Sequence, residues 1–156
     1  MLVSIINKSF GFEEYVDLIS GSQYTLSGVK FDERRGVLKL PYNKERLDLA
    51  TTIKTTWLKK TIKIPLIKGE LIIENVRAID LKDAAKLDTF FINEISCGAD
   101  FIKIVSNVPI ELDIEVSKIY LEFRESDEIV GHQQREIYLG MIEFDRPRDM
   151  STDIAQ

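Results

Sequence analysis

The chain is expected to be mainly β: an antiparallel β-sandwich or a partly closed barrel, with one or two short helical turns. Three observations carry this. First, within residues 109–124 the stretch 110–116 alternates strictly, with apolar Ile110, Leu112, Ile114 and Val116 separated by Glu111, Asp113 and Glu115. Period two gives a strand one apolar and one charged face, whereas a helix scatters the same residues around its circumference. Second, short β-rich runs follow one another, broken by Gly, Pro or charged turns. That spacing belongs to antiparallel sheet with one face on a core and one in water. Third, the apolar phase slips by one at Ser117-Lys118, continuing at Ile119, Leu121 and Phe123. A β-bulge, or a tight turn making two strands, corrects such a slip, and either bends the sheet as a sandwich corner or barrel requires.

Residues 2–6 read as a first strand, because the oily stretch lacks the basic region and small-residue cleavage site of a signal peptide. Residues 12–19 are ambiguous: Phe12, Tyr15, Val16 and Ile19 fit helical spacing, Val16 and Leu18 a strand. After a turn at Ser20-Gly21-Ser22, residues 24–30 and 37–42 form a hairpin around a charged stretch. Gly36 is its expected φ > 0 residue. Residues 44–50 are a loop or one helical turn. Residues 51–58 and 61–67 are rich in β-branched residues, and Pro65 argues for an edge position or a break. Lys68-Gly69 reads as the next turn, and residues 70–80 alternate imperfectly with Asn75 as a bulge or kink.

Residues 81–87 are the best short-helix segment, with good formers after an Asp able to cap. Residues 89–96 and 100–106 are strands around a Gly98 turn. After the 109–124 segment come a charged turn at 126–128, a polar loop holding His132, and a last strand (less favourably a helix) at 135–144. The expected organisation is one β-rich domain over residues 1–144 and a disordered polar tail over 145–156.

At 156 residues the chain suffices for one domain with a real core, and its 44% apolar and 30% charged composition is ordinary for a globular protein. No apolar run approaches the roughly 20 residues that span a bilayer. A single cysteine, Cys97, excludes an intrachain disulfide and fits a reducing cytoplasm. It has no basic neighbour in sequence to favour a thiolate, so it reads as a small buried or turn residue. Net charge is −5, but residues 1–68 hold 12 Lys+Arg against 7 Asp+Glu, and residues 69–156 hold 9 against 19.

Candidate chemistry is sparse. His132 is the only histidine, with no second imidazole to share a zinc site. Glu111, Asp113 and Glu115 stand roughly 6.5–7 Å apart on one strand face and point in parallel, which suits a partner surface better than a cation. No metal or cofactor is expected. Lys54, Lys59, Lys60, Lys63 and Lys68 surround Trp57 within a stretch, residues 30–68, that holds 11 Lys+Arg against 4 Asp+Glu. Such a combination points to nucleic acid or an anionic membrane surface, while the overall pI near 5 argues against nucleic acid. A core anchor is the plainer role for Trp57. Nucleotide, hydrolase and metalloprotease signatures are absent.

Function is not legible from these residues. The favoured expectation is a non-catalytic cytoplasmic domain that binds protein through a sheet face or edge, with a homodimer as one outcome of exposed edges. Two alternatives stand beside it: a β-module holding a small ligand, and an enzyme whose site is not recognisable from sequence.

Overall fold

The computed structural model describes residues 1–15, 18, 21–83 and 86–139. Among the described residues there are eleven strands: β1 (Leu2–Ile6), β2 (Ser22–Thr25), β3 (Lys30–Asp32), β4 (Val37–Glu45), β5 (Thr51–Thr55) and β6 (Lys59–Ile73). They continue with β7 (Val76–Asp83), β8 (Thr89–Cys97), β9 (Phe101–Ser106), β10 (Ile110–Val116) and β11 (Leu121–Tyr138). Among the described residues there are 3-10 turns at Phe12–Tyr15, Leu26–Gly28 and Leu47–Leu49. The mainly β, antiparallel class expected from the alternation is therefore present. Strands neighbour one another in the order β1-β11-β6-β4-β2-β8-β9-β10-β7, with β3 on β4 and β5 on β6, and the path does not close.

The described residues form two compact units, those within 1–44 and 67–128, and those within 45–66 and 129–139. The long strands β6 and β11 each contribute to both. The first unit contains a core built from alternate residues of its strands, as period two dictates. Leu38 and Leu40 of β4, Leu71 and Ile73 of β6, Ile102 and Ile104 of β9, Leu112 and Ile114 of β10, and Leu121 and Phe123 of β11 are all buried in it. Each such side chain contributes about 1.5–3 kcal/mol on leaving water. In the second unit β5 pairs with the start of β6, and its buried apolar side chains include Ile62 and Ile64.

The phase slip at Ser117-Lys118 is a break between two strands. β10 pairs with β7 and β9, whereas β11 pairs with β1, so the chain changes neighbours where the alternation changes parity. The hairpin of β3 and β4 closes with Asp32 opposite Val37, and Gly36 has φ 65. That conformation is costly for any residue with a Cβ, and an added Cβ would also lie 2.8 Å from the Val76 carbonyl oxygen.

Several local expectations are corrected. Lys68-Gly69 is not a turn but lies inside β6. Gly69 is small because the Tyr42 ring lies where its Cβ would be. Pro65 is buried within β6 and is neither an edge nor a break. A proline withholds only a donor, and its carbonyl accepts a hydrogen bond from the Arg46 N–H at 2.9 Å. Asn75, with φ 61, forms the turn between β6 and β7 and not a bulge within a strand.

The helix expected at 81–87 is absent where described: 81–83 finish β7, because pairing with β10 overrides weak local propensity. Residues 126–128 and His132 are likewise strand, within β11. The expected tail, the end of the last strand beyond residue 139, and Val16, Asp17 and Ile19 of the ambiguous segment lie outside the described residues.

Candidate functional site

Three places concentrate polar or exposed chemistry. The first is the outer face of β7, β9 and β10. Cross-strand pairing sets Lys103, Asp113 and Asp80 in one row. Val105, Glu111 and Lys82 form the next, and Phe101, Glu115 and Ala78 a third. Paired residues share a face, so the acidic stripe expected from sequence is brought together with cations. Lys82 Nζ lies 3.1 Å from Asp113, 3.6 Å from Glu111 and 3.9 Å from Asp80. Lys103 approaches Glu111 and Arg77 approaches Glu115. Partial burial works against ionisation of Asp113, yet the hydrogen bonds from Lys82 and with Glu111 hold it below the usual carboxylate range. A groove of about 390 Å³ runs over this face, with Asp80, Asp100, Asp113 and Glu115 among its walls and Ile102 and Ile114 beneath.

The second is the hairpin of β5 and β6. Thr56 Oγ1 accepts hydrogen bonds from the Leu58 and Lys59 N–H groups, and the Thr56 N–H donates to the Lys59 carbonyl at 2.8 Å. This tight turn is of the kind Ser and Thr hydroxyls set up locally. It leaves Trp57 87% exposed at the tip, so the tryptophan is not a core anchor. Lys59 donates to Glu136, and that bond raises its pKa. Lys60 stands opposite Thr55, and Lys54 opposite Thr61. Leu47, Leu49 and Ile53 of the same unit are exposed as well.

The third gave no sequence signal. Tyr24 pairs with Tyr42 and Ser22 with Lys44 across β2 and β4. The Tyr42 hydroxyl donates to Glu125 Oε2 at 2.9 Å, and Lys44 Nζ reaches the same oxygen at 3.2 Å. Tyr24 lies 5.0 Å from Tyr42 and 5.5 Å from Phe90, centroid to centroid. Burial first, then neighbouring Glu125, pushes the Tyr24 phenol far above its ordinary range; for Tyr42, burial, Tyr24 and Glu125 do the same. Both phenols are therefore held neutral, and Tyr42 donates to Glu125. The Tyr24 hydroxyl and Ser22 Oγ are buried without a hydrogen-bond partner among the described residues.

His132 is exposed on β11. Cys97 is buried at the end of β8, and burial pushes its thiol up to about 12, which suppresses thiolate chemistry. Among the described residues no group of three or more His, Cys, Asp or Glu is placed to hold a metal ion. No described helix is long and apolar enough to cross a membrane. The chain matches no protein-family model, no curated protein and no solved structure.

Proposed function

We propose that the protein is a non-catalytic interaction domain that binds another protein chain by strand addition at β1. The observation that carries this is the composition of the sheet edges. β1 ends the strand order, pairing on one side with β11. Its outer residues Leu2, Val3 and Ile5 are 59%, 45% and 55% exposed, and the strand carries no charged side chain. The opposite terminal strand β7 carries Arg77, Asp80, Lys82 and Asp83, β3 carries Lys30 and Asp32, and β5 carries Lys54. Charges on an edge oppose pairing with a further strand, and their absence leaves a row of backbone donors and acceptors available. Strand addition draws affinity from those main-chain bonds and specificity from alternate side chains.

The test compares wild type, Val3→Lys/Ile5→Lys on β1, and Leu81→Lys on β7 as a control edge. Each is used to capture partners from the native lysate, and light scattering reports the mass of the purified protein. A partner or second copy retained by wild type and Leu81→Lys, and lost only from the β1 variant, supports the reading. Equal retention by all three sinks it, as does a wild type that is monomeric and captures nothing.

A further inference from the structure

We infer that the β5–β6 hairpin is a docking tip for an anionic lipid bilayer surface, with Trp57 entering the headgroup region and lysines lying above it. Three observations combine. The Thr56 hydroxyl and backbone fix the turn, so Trp57 is presented at the tip without a burial partner. An indole at the polar–apolar boundary keeps its N–H wet and its ring in an apolar layer, which is why tryptophan concentrates at bilayer interfaces.

Among the described residues of the same unit the charge balance is one-sided. Over residues 45–66 and 129–139 there are six Lys+Arg and three Asp+Glu. Each acid has a cation: Glu45 has Arg135, Asp48 has Arg46 and Glu136 has Lys59. Lys54, Lys60 and Lys63 carry no ion pair among the described residues.

Register places Lys54 and Lys60 beside the tip and Lys63 three residues further along β6. Lys60 pairs with Thr55 and Lys54 with Thr61, while Lys63 pairs with Thr51. Lys54 and Lys63 therefore lie on one face and Lys60 on the other. At roughly 3.4 Å per residue, Lys54 and Lys60 stand within about 10 Å of Trp57 along the strands. A tip seated about 5–10 Å deep puts their ammonium groups at phosphate level, where flexible stems let them snorkel. Lysine is depleted at protein–protein interfaces, whereas tryptophan with lysine is the pairing that anionic membranes select.

Trp57 is the only tryptophan, so its emission reports on the tip alone. The full chain is titrated with vesicles of neutral phosphatidylcholine and with vesicles containing about one third phosphatidylserine, and binding is also read by vesicle flotation. A blue shift and flotation are expected with anionic vesicles only, weakening as salt rises through the Debye regime. Each lysine adds about fivefold in affinity, so Lys54→Glu/Lys60→Glu/Lys63→Glu is expected to lose on the order of 100-fold or more. Trp57→Ala is expected to lose flotation while its circular dichroism matches wild type. The inference is overturned if emission does not shift with anionic vesicles at low salt, if the triple variant floats as wild type does, or if single-stranded DNA or polyglutamate shifts Trp57 while vesicles do not. None of these outcomes depends on β1, so they separate this inference from strand addition.

Discussion

Substituting Gly69 by alanine tests how the interior of the first unit is built. A glycine inside a strand normally weakens it, so alanine at an unconstrained position would stabilise by about 0.4–1 kcal/mol through the unfolded chain. Here the added Cβ would lie 2.4 Å from Tyr42 Cζ, 2.5 Å from Cε2 and 2.8 Å from the hydroxyl. The ring is 3% exposed and has Tyr24 5.0 Å away, so it cannot retreat freely. Overpacking of this kind costs about 1–3 kcal/mol. If the ring moves, its hydroxyl leaves Glu125, and a hydrogen bond to a charged group is worth about 1.5–3 kcal/mol. After the unfolded-state gain, Gly69→Ala is expected to cost about 2–5 kcal/mol. The assay is urea unfolding of four proteins: wild type, Gly69→Ala, Tyr42→Ala and the double variant. With the ring removed these three close contacts are gone, so the second substitution costs less than about 1 kcal/mol and the cycle shows coupling of about 2 kcal/mol or more. The reasoning fails if Gly69→Ala alone lies within about 0.5 kcal/mol of wild type, or if it costs the same in both backgrounds.

Two further outcomes are expected. Cys97, buried and with its thiol pushed up to about 12, is expected to resist a thiol reagent at pH 8 in native protein and to react fully in denaturant; rapid native labelling would show the end of β8 to be open. Asp113 has a depressed folded pKa, so its contribution is present above the unfolded value, about 3.9, and is lost as pH falls through the folded value. Urea midpoints of wild type and Asp113→Asn are therefore expected to differ at pH 7 and to converge toward pH 2, and a pH-independent gap would contradict the Lys82 arrangement.

The candidate surfaces were unevenly legible. Glu111, Asp113 and Glu115 lie on one exposed face as the alternation implied, but nothing in residues 109–124 shows that Lys82, Lys103 and Arg77 stand beside them. Those cations come from β7 and β9, and strand order sets the pairing. Trp57 with Lys59 and Lys60 was visible as a cluster, yet core anchor and exposed tip have the same local sequence. The Thr56 turn separates them. The Tyr24–Tyr42–Glu125–Lys44 group had no signal at all, since Glu125 is 83 residues from Tyr42 and reads as a solvated charge beside Arg124.

By itself the sequence determined the antiparallel β class, the hairpin at Gly36 and the parity change near Ser117-Lys118. These rest on side-chain period and on φ preference, which are properties of neighbouring residues. Only the tertiary structure decided that residues 59–73 run through Pro65 and Gly69 as one strand, that 81–83 extend β7 instead of starting a helix, and which edge is left uncharged. Those outcomes depend on what lies alongside: a carbonyl that needs only an acceptor's role, an aromatic ring that needs the space of a missing Cβ, and a partner strand whose hydrogen bonds outweigh propensities of a few tenths of a kcal/mol per residue.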